Sequence, residues 1–306
     1  MLYDCLIIGG GPAGLSAAIY LARYNRSCIV IDSARGRWKS HELNENYLGF
    51  PSGIHARRLR ELGRKQAARF GAQFCVSKVT DVRKQGDIFV AKAGKNTFEG
   101  RTVILATGVR DILPDIGNTE EYWGKSLFWC ITCDGHKIKG APTVVVGRTD
   151  TAAISALQFM CFTDKISLVT NCMPDKCELT DLGRQRLAKR GAPIYESAID
   201  HVEGEDGMMR TVVLEDGTRI EANFMFNEQG STPRIELAKE LGVKLADNGF
   251  IETDTEQRTN VPLVYAAGDV TKDFAHQIVS GAHEGATAAI TANYDLYEPD
   301  QKHPGD

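Results

Sequence analysis

The sequence has no apolar run near the roughly 18 consecutive residues that a membrane-spanning helix needs. Its first residues, MLYDCLIIGGG, lack a basic segment, include Asp4, and pass from a short apolar stretch into glycines instead of a cleavage site. A secretory signal peptide has the opposite features. We therefore expect a cytoplasmic protein without a membrane partner.

An excess of positive charge is also missing. The chain has 36 Lys and Arg against 40 Asp and Glu, a net charge of −4, whereas a nucleic-acid binder carries a basic surface. We therefore expect no nucleic-acid partner. The 306 residues and 42% hydrophobic content are typical of a globular protein with two domains of roughly 150 residues each.

Cysteine is too dilute for a disulfide scaffold, at 8 in 306 residues. Most of these residues lie on strand or helix patterns and are predicted to be buried core thiols. The predicted core thiols are Cys5, Cys28, Cys75 and Cys161, while the looser pair Cys172 and Cys177 is interpreted as incidental. Only Cys130 and Cys133 have a spacing that indicates chemistry.

What the sequence does contain is a strand–glycine–helix–strand unit, twice. The first covers residues 6–31 and the second residues 143–170. This alternation predicts parallel sheets with helices on both faces, an α/β fold of two Rossmann-like, three-layer nucleotide-binding domains. A strand ending in Gly268-Asp269 completes the first domain, so the second is predicted to be inserted into it. The predicted bounds are 1–112 with 245–306 for the first domain and 113–244 for the second.

The first glycine loop, GGGPAG at 9–14, fits the pattern G-x-G-x-x-G in the correct strand–helix context. The first glycine permits a tight turn, the second a close approach of a pyrophosphate, and the third close helix–strand packing. Asp32, at the end of the next strand, can accept hydrogen bonds from the hydroxyl groups of a ribose. A turn that serves packing alone would not explain this acid. The predicted cofactor-binding residues are Gly9, Gly11, Pro12, Ala13, Gly14 and Asp32.

Two later tripeptides favour FAD as the dinucleotide. The predicted strand before residue 106 ends in Ala106-Thr107-Gly108, and the strand near the C-terminus ends in Ala267-Gly268-Asp269. In a flavin site such an aspartate bonds the ribityl chain, and the start of the following helix faces the ring. We therefore add Ala106, Thr107, Gly108, Gly268 and Asp269 to the predicted cofactor-binding residues.

With these motifs the chain resembles the low-molecular-weight thioredoxin reductase family of flavoproteins over nearly its whole length. The segments that carry the resemblance are GGGPAGLSAAIYLAR (9–23), ENYLGFP (45–51), CITCDG (130–135), YAAGDV (265–270) and HQI (276–278). Leu48 replaces a proline of the family, and His276 replaces an arginine. The resemblance implies FAD, a homodimer, and a disulfide that exchanges electrons with the flavin. It also adds Asn46, His276, Gln277 and Ile278 to the cofactor-binding set.

The C-x-x-C pair brings two thiols close enough to form a readily reduced disulfide. One thiol can attack an incoming disulfide and the other can resolve the mixed disulfide. Asp134, which follows the pair, can relay the proton that each thiolate step needs. The resemblance implies that Cys133 contacts the flavin and Cys130 the partner. Two alternatives remain, a zinc site that includes His136 and a pair of buried structural thiols.

The second glycine loop departs from the family pattern. Thr149 stands where the central glycine would let a pyrophosphate approach. The segment after the next strand has no pair of arginines to bind a 2′-phosphate, and the negative charge of Asp175 would repel such a phosphate. Glu228 adds another carboxylate. The sequence thus predicts weak or absent NADPH binding, unless Arg148 substitutes for the missing arginines.

Two basic segments stand outside these motifs. The loop RGRWKSH at 35–41 is interpreted either as a solvated loop, as a clamp for the cofactor, or as a contact for an acidic donor such as ferredoxin. The basic helix predicted over 55–70 is interpreted as a solvated face.

The sequence therefore predicts an FAD-dependent thiol–disulfide oxidoreductase that passes two electrons between the flavin and Cys130–Cys133 without NADPH. A thioredoxin-like protein or a small dithiol is the expected partner, and ferredoxin is a candidate donor. A second flavin is a further candidate for the degenerate nucleotide fold. Three alternatives remain, namely a dithiol oxidase that uses oxygen, an ordinary NADPH thioredoxin reductase, and a non-catalytic flavin redox sensor.

Overall fold

The computed structural model describes residues 1–39, 43–114, 116–172 and 176–303. The first 111 residues are mainly strands, with a helix between the first pair and another before the fifth. In chain order these elements are β1 (Leu2–Ile8), α1 (Pro12–Arg23), β2 (Cys28–Asp32), β3 (Leu43–Asn44), β4 (Ile54–His55), α2 (Ala56–Arg69), β5 (Gln73–Val76), β6 (Val79–Gln85), β7 (Ile88–Ala93), β8 (Asn96–Leu105) and β9 (Val109–Asp111).

The remainder repeats the alternation of strands and helices and ends in the longest helix. Its elements are β10 (Leu127–Phe128), α3 (Ile131–Asp134), β11 (Thr143–Val146), α4 (Asp150–Phe159), β12 (Ile166–Val169), α5 (Asp181–Lys189), β13 (Ile194–Tyr195), β14 (Ile199–Glu205), β15 (Met208–Leu214), β16 (Arg219–Glu221), β17 (Phe224–Asn227), β18 (Ser231–Pro233), α6 (Glu236–Glu240), β19 (Val264–Ala266) and α7 (Ile278–Asp295).

The first sheet has the strand order β5-β2-β1-β8-β7-β6, with β19 also paired to β8. The long strand β8 pairs with β1 along one edge, from Glu99 to Leu105, and with β7 and β19 at different parts of its other edge. Its first half pairs antiparallel with β7, as Phe89 opposite Gly100 shows, and its last residues pair parallel with β19, with Ala266 opposite Leu105. A strand from near the C-terminus thus completes a sheet that the N-terminal residues begin. The exact domain bounds stay a prediction.

The second sheet is parallel throughout, in the order β10-β17-β11-β12-β13. An antiparallel sheet of β14, β15 and β16 lies beside it, and its residues share a core with the parallel sheet through Val146, Val212 and Met225. A small ribbon, in which β18 pairs with β9, joins the two segments that flank the second sheet in the sequence. The predicted α/β architecture with two Rossmann-like sheets is confirmed.

The cores lie on both faces of each parallel sheet. Along β1, Leu6 and Ile8 belong to one cluster of buried side chains, while Cys5 and Ile7 belong to another on the opposite face. Successive strand residues point to opposite faces, so a strand buried on both sides is apolar at every position. This explains why the sequence shows short continuous apolar runs instead of alternation.

Element bounds differ from the sequence prediction at several places. The apolar pattern of the sequence predicts a helix over 15–24, but α1 begins at Pro12, because a proline at the first helical position loses no hydrogen bond. The sequence also predicts a strand over 101–106, and β8 begins five residues earlier. Strand β14, which carries Asp200, His201 and Glu203, was missed because its residues are mostly polar. In the part of the chain that the structure describes, no helix is long and apolar enough to cross a membrane.

Helices α1 and α7 pack against each other through glycine. A Cβ atom added at Gly285 of α7 would lie 2.0 Å from the backbone oxygen of Ala13 in α1, whereas one added at Gly281 would find its nearest neighbour, the Ala13 nitrogen, at 3.7 Å. A methyl group at Gly285 would therefore overlap backbone atoms, which cannot rotate away, whereas one at Gly281 would make an ordinary van der Waals contact.

We expect Gly285→Ala to destabilise the protein by roughly 1–3 kcal/mol, because the helices must separate to admit the methyl group. The matched change Gly281→Ala should be neutral or stabilising by up to roughly 1 kcal/mol, because alanine is the better helix former. Thermal unfolding of the flavin-loaded variants measures both. Equal stabilities for the two variants would contradict the close packing described here.

Candidate active site

The first glycine loop holds two strand ends and a helix start in direct backbone contact. Gly9 has a φ of +114°, and a Cβ atom there would lie 2.1 Å from the backbone oxygen of Ala106. A Cβ atom at Gly14 would lie 1.9 Å from the backbone oxygen of Gly9. Both positions therefore require glycine. The loop and the Ala106-Thr107-Gly108 motif, which the sequence treated separately, meet at the ends of β1 and β8.

Gly11 differs from its neighbours because it borders open space. No described heavy atom lies within 4 Å of a Cβ atom built there, and among the described residues no side chain caps α1, whose first turn carries no acid. The backbone N–H groups of a helix start without a cap favour an anion. The loop therefore fits the pyrophosphate of a dinucleotide such as FAD.

Asp32 follows this loop at the end of β2, as predicted, but its carboxylate already has a partner. Arg60 of α2 donates to the Asp32 Oδ2 atom and lies over the ring of Trp38, with 4.7 Å from the guanidinium carbon to the ring centroid. The side chains of Asp32 and Arg60 are both largely buried. The sequence treated helix α2 as a solvated face, and this is wrong for Arg60 because it turns inward to pair with Asp32.

An open recess lies beside this ion pair, between β2, β5 and α2. It is lined by Gly10, Asp32, Arg60, Arg64 and Phe74, among others. Arg64 also packs on an aromatic ring, at 4.8 Å from its guanidinium carbon to the Phe74 centroid. This recess borders the first glycine loop at Gly10.

The second predicted FAD motif is held by two residues that the sequence analysis missed. Glu284 of α7 is buried and accepts a hydrogen bond from the backbone N–H of Gly268 at 2.7 Å. Arg37 donates to the Asp269 Oδ2 atom at 3.1 Å and also pairs with Asp111 at the end of β9. The basic loop thus contributes Arg37 to the site, while its residues Ser40 and His41 lie outside the described residues.

The other predicted cofactor-binding residues lie just after β8 or at the start of α7. The Thr107 hydroxyl donates to the backbone oxygen of Arg234 at 2.7 Å, and Gly108 has a φ of +65°. The Nε2 atom of His276 lies 2.7 Å from the Lys272 carbonyl oxygen. Ile278 begins helix α7.

Cys130 and Cys133 form a disulfide, with 5.2 Å between their Cα atoms. Cys130 immediately precedes the short helix α3, and the backbone N–H of Cys133 donates to the Cys130 sulfur at 3.1 Å. Because each sulfur is bonded to the other, neither is available to a metal in this state. Within the described ranges no group of three His, Cys, Asp or Glu residues is arranged to hold a metal ion.

The remaining cysteines are free thiols. Cys5, Cys28 and Cys172 are buried, and burial raises the pKa of the Cys28 thiol to about 12. Cys161 is exposed, so its predicted place in the core is wrong. It lies just beyond the end of α4, where the helical pattern no longer determines which side faces inward.

Asp134, the predicted proton relay, is buried beside the disulfide. The Lys137 ammonium donates to its Oδ1 atom at 2.8 Å and also lies 3.5 Å from the Glu45 carboxylate. The same carboxylate is 3.5 Å from the Nε2 atom of His136. The acid next to the cysteines thus belongs to a charged cluster that reaches the ENYLGFP segment, a contact that the sequence did not reveal.

Gln277 and Asn46 connect the disulfide to the predicted flavin site. The Gln277 Nε2 atom lies 3.4 Å from the Cys130 sulfur and 3.5 Å from the Cys133 sulfur. The Asn46 Nδ2 atom donates to the Gln277 Oε1 atom at 2.9 Å. Because Gln277 directly precedes α7, the disulfide lies at the start of the helix that packs along α1.

Charged side chains of the second glycine loop pair with the segment that precedes α5. Asp150, the first residue of α4, accepts hydrogen bonds from the Thr180 backbone N–H at 2.9 Å and from its hydroxyl at 2.7 Å. Arg148 lies 3.7 Å from Glu178. Asp175, which the sequence singled out, lies outside the described residues.

Glu228 borders the same loop. A Cβ atom at Gly147 would lie 3.0 Å from the Glu228 backbone oxygen, and the Glu228 backbone N–H donates to the Val146 oxygen at 2.7 Å. Burial raises the pKa of the Glu228 carboxyl to about 7, although a hydrogen bond with Ser155 opposes the shift. A carboxylate here adds negative charge beside a loop that, in a nucleotide-binding fold, faces phosphates.

Taken together, the two Rossmann-like sheets, the glycine loop and the adjacent disulfide define a two-domain disulfide oxidoreductase of the flavin type. A family model described as "Pyridine nucleotide-disulphide oxidoreductase" matches residues 3–291, and the chain belongs to this family. FAD binding is implied by this membership.

Individual relatives are similar over almost the whole chain. The thioredoxin reductase of Peptoclostridium acidaminophilum is 32% identical, covering 95% of this chain and 96% of its own. Among solved structures, thioredoxin reductase from Streptococcus pyogenes superposes with a TM-score of 0.89 at 27% identity, over 96% and 98% of the two chains. The atypical thioredoxin reductase TRi from Desulfovibrio vulgaris Hildenborough is 33% identical over 99% of both chains, with a TM-score of 0.54. The chain is therefore a thioredoxin reductase-like flavin disulfide oxidoreductase.

The raised pKa of Glu228 predicts a pH-dependent stability. Because the folded protein holds this proton more tightly than the unfolded chain does, stability should fall as pH rises from about 4.5 to about 7. Glu228→Gln should remove this loss and raise the free energy of unfolding by roughly 1–3 kcal/mol at pH 8, with little change at pH 4.5. Denaturant titrations at both pH values measure it, and Glu99→Gln on the exposed edge of β8 controls for the loss of a carboxylate. An equal effect of Glu228→Gln at both pH values would contradict the assignment.

Proposed function

We propose that this protein is an FAD-dependent thiol–disulfide oxidoreductase in which two electrons pass between the flavin and the Cys130–Cys133 disulfide, without NADPH as the donor. The observation that carries the proposal is the position of the disulfide. Both sulfurs contact Gln277, which lies between the Gly268-Asp269 motif and the start of α7. The cysteine pair therefore adjoins the motifs that a flavin would occupy.

The residues that would hold FAD surround the first glycine loop. The open space at Gly11 and the uncapped start of α1 suit its pyrophosphate, and the recess beside Asp32 suits its adenosine group. Bound FAD supplies a two-electron carrier next to the disulfide. The proposed cofactor-binding residues are Gly9, Gly11, Pro12, Ala13, Gly14, Asp32, Asn46, Ala106, Thr107, Gly108, Gly268, Asp269, His276, Gln277 and Ile278.

Cys130, Cys133 and Asp134 are the proposed catalytic residues. Opening the disulfide with two electrons requires one proton for every thiol formed, and a buried carboxyl adjacent to the pair is placed to deliver it. The contact between Asp134 and Lys137 holds this carboxyl in position. We assign Cys133 to the flavin side and Cys130 to attack on the partner.

The proposal that NADPH is not the donor rests on the second glycine loop. Thr149 replaces the glycine at which the pyrophosphate approaches. The start of α4 has no side-chain cap among the described residues, but its first residue is an acid, Asp150, whose carboxylate accepts hydrogen bonds from Thr180. Arg148 pairs with Glu178 across 3.7 Å, and Glu228 adds a carboxyl beside the loop. Free N–H groups at a helix start favour a phosphate, whereas the acidic side chains at this loop oppose one.

Several finer points belong to the same proposal. We propose a thioredoxin-like protein or a small dithiol as the disulfide partner, which agrees with the relatives named thioredoxin reductase. We propose ferredoxin as a candidate electron donor, with the basic loop that holds Arg37 as its contact, and a second flavin as a candidate occupant of the degenerate fold. The proposed assembly is a homodimer. In each chain, we propose a first domain of residues 1–112 with 245–306 and a second domain of residues 113–244.

An anaerobic titration distinguishes the donors. We expect stoichiometric dithiol to bleach the flavin absorbance of the purified protein and NADPH to leave it unchanged, because the second loop does not bind the pyrophosphate. Bleaching by stoichiometric NADPH would identify an ordinary NADPH thioredoxin reductase. If dithiol bleaches the flavin and oxygen then restores it with release of peroxide during turnover, the dithiol oxidase alternative is favoured.

The role of the cysteines is tested by Cys133→Ser. We expect this variant to retain its flavin and to lose disulfide exchange by at least a hundredfold, because the resolving sulfur is gone. Exchange with a thioredoxin-like protein is followed by the release of free thiols. Cys161→Ser, which changes an exposed free thiol, is the matched control and should keep full activity. Retained exchange in Cys133→Ser would overturn the assignment.

A further inference from the structure

The side chain of Gln277 makes contacts that its predicted role at the flavin does not explain. Its Nε2 atom is nearly equidistant from both sulfurs of the disulfide, at 3.4 Å from Cys130 and 3.5 Å from Cys133. Its Oε1 atom is 3.7 Å from the Cys133 sulfur. One amide group thus presents both a donor and an acceptor to the pair whose bond must open and close.

The orientation of this amide is set by a neighbour. Asn46 donates from Nδ2 to the Gln277 Oε1 atom at 2.9 Å. This hydrogen bond turns the oxygen toward Asn46 and the NH2 group toward the sulfurs, an assignment that follows from the network.

The backbone of Gln277 is fixed on both sides. Its N–H donates to the Ala275 oxygen at 2.7 Å, and its carbonyl accepts from Gly281 at 3.0 Å in the first turn of α7. The donor is therefore carried on a rigid element and directed at the sulfurs before any electron arrives.

A hydrogen-bond donor at this position affects the reduced and the oxidised cysteine pair differently. When two electrons and one proton open the S–S bond, one sulfur becomes a thiolate and the other a thiol. A hydrogen bond to a charged acceptor is worth roughly twice one to a neutral acceptor, and a disulfide sulfur is only a weak acceptor. An NH2 group facing the pair therefore stabilises the reduced state more than the oxidised state.

We propose that Gln277 is a further catalytic residue of the disulfide reaction, whose side-chain amide donates to the sulfur that becomes a thiolate, with Asn46 as its positioning residue. The thiol sulfur can in turn donate to the Gln277 Oε1 atom, which already lies near Cys133. The inference rests on the proposed function, because it assigns a role within the same reaction.

Other charged groups around the pair are unchanged by altering Gln277. Asp134 and Lys137 pair with each other on the turn that follows the cysteines, and His136 and Lys137 face Glu45 from the opposing segment. A substitution at Gln277 leaves all four in place. A shift in the disulfide equilibrium can then be assigned to the amide.

The test is the equilibrium of the Cys130–Cys133 pair with a dithiol buffer in the Gln277→Met holoprotein, which keeps the side-chain length and removes the donor. The fraction of reduced pair is read by alkylation and mass measurement. We expect the equilibrium to move about tenfold toward the disulfide, which for this two-electron couple is about 30 mV more negative. The midpoint pH of the thiol alkylation rate should rise in the same variant.

Two further variants make the result decisive. Asn46→Ala should shift the equilibrium in the same direction by a smaller factor, because the amide loses its anchor. Gln66→Met, which changes a glutamine exposed on α2, should leave it unchanged. An unaltered equilibrium and alkylation profile in Gln277→Met with normal flavin content would overturn the proposal. If Gln277→Met loses its flavin, the equilibrium of the cysteine pair in Asn46→Ala decides whether the proposal holds.

The measurement also separates this inference from the proposed function. Alkylation reports the cysteines directly, so the equilibrium with dithiol is readable even if the flavin never exchanges electrons with the pair. If the flavin of the wild-type protein fails to respond to dithiol while Gln277→Met still shifts the cysteine equilibrium, the proposed function fails and the role of Gln277 stands.

Discussion

The arrangement of the whole site depends on backbone-to-backbone contact at the first glycine loop. Gly9 approaches Ala106, Gly14 approaches Gly9, and Gly285 approaches Ala13, in each case so closely that a methyl group would overlap a carbonyl oxygen. These contacts bring the ends of β1 and β8, the start of α1 and the middle of α7 into one rigid unit. The start of α7 is positioned as a consequence, and with it the residue that contacts the disulfide. The cofactor loop and the residue that contacts the cysteine pair are thus positioned by the same packing.

The sequence predicted those parts of the molecule in which local spacing carries the information. The strand–glycine–helix units and the C-x-x-C pair follow from neighbouring residues. Ion pairs between distant segments could not be predicted, because no neighbouring residue shows that Arg60 turns inward to Asp32 or that Arg37 reaches Asp269. Polar strands such as β14 were missed for a related reason, since their place in a sheet is decided by the partner strand. The role of Glu284 was hidden within a helix of small residues.

The two nucleotide-type folds show how one framework can lead to different sites. In both, a buried parallel strand runs into a glycine and then a helix. In the first, the helix start is left without a side-chain cap and borders open space at Gly11. The second helix start also lacks a side-chain cap among the described residues, but its first residue is an acid, Asp150, which bonds to Thr180, and Glu228 lies against the loop. The two units share a framework because each sheet and its core need it, while the chemistry of their loops differs.

The pairing of β19 with the end of β8 has a consequence for how the chain folds as it is synthesised. Residues 103–105 of β8 meet β1 on one side, yet their other partner, residues 264–266, lies far along the chain. Until those residues leave the ribosome, one side of this hydrophobic strand end presents unpaired backbone groups, the kind of edge that promotes aggregation. The inserted sheet has all its strands in residues 127–227 and can form first. The nascent protein therefore passes through a stage in which the second sheet is complete, while the first sheet, which begins earlier in the chain, still lacks β19.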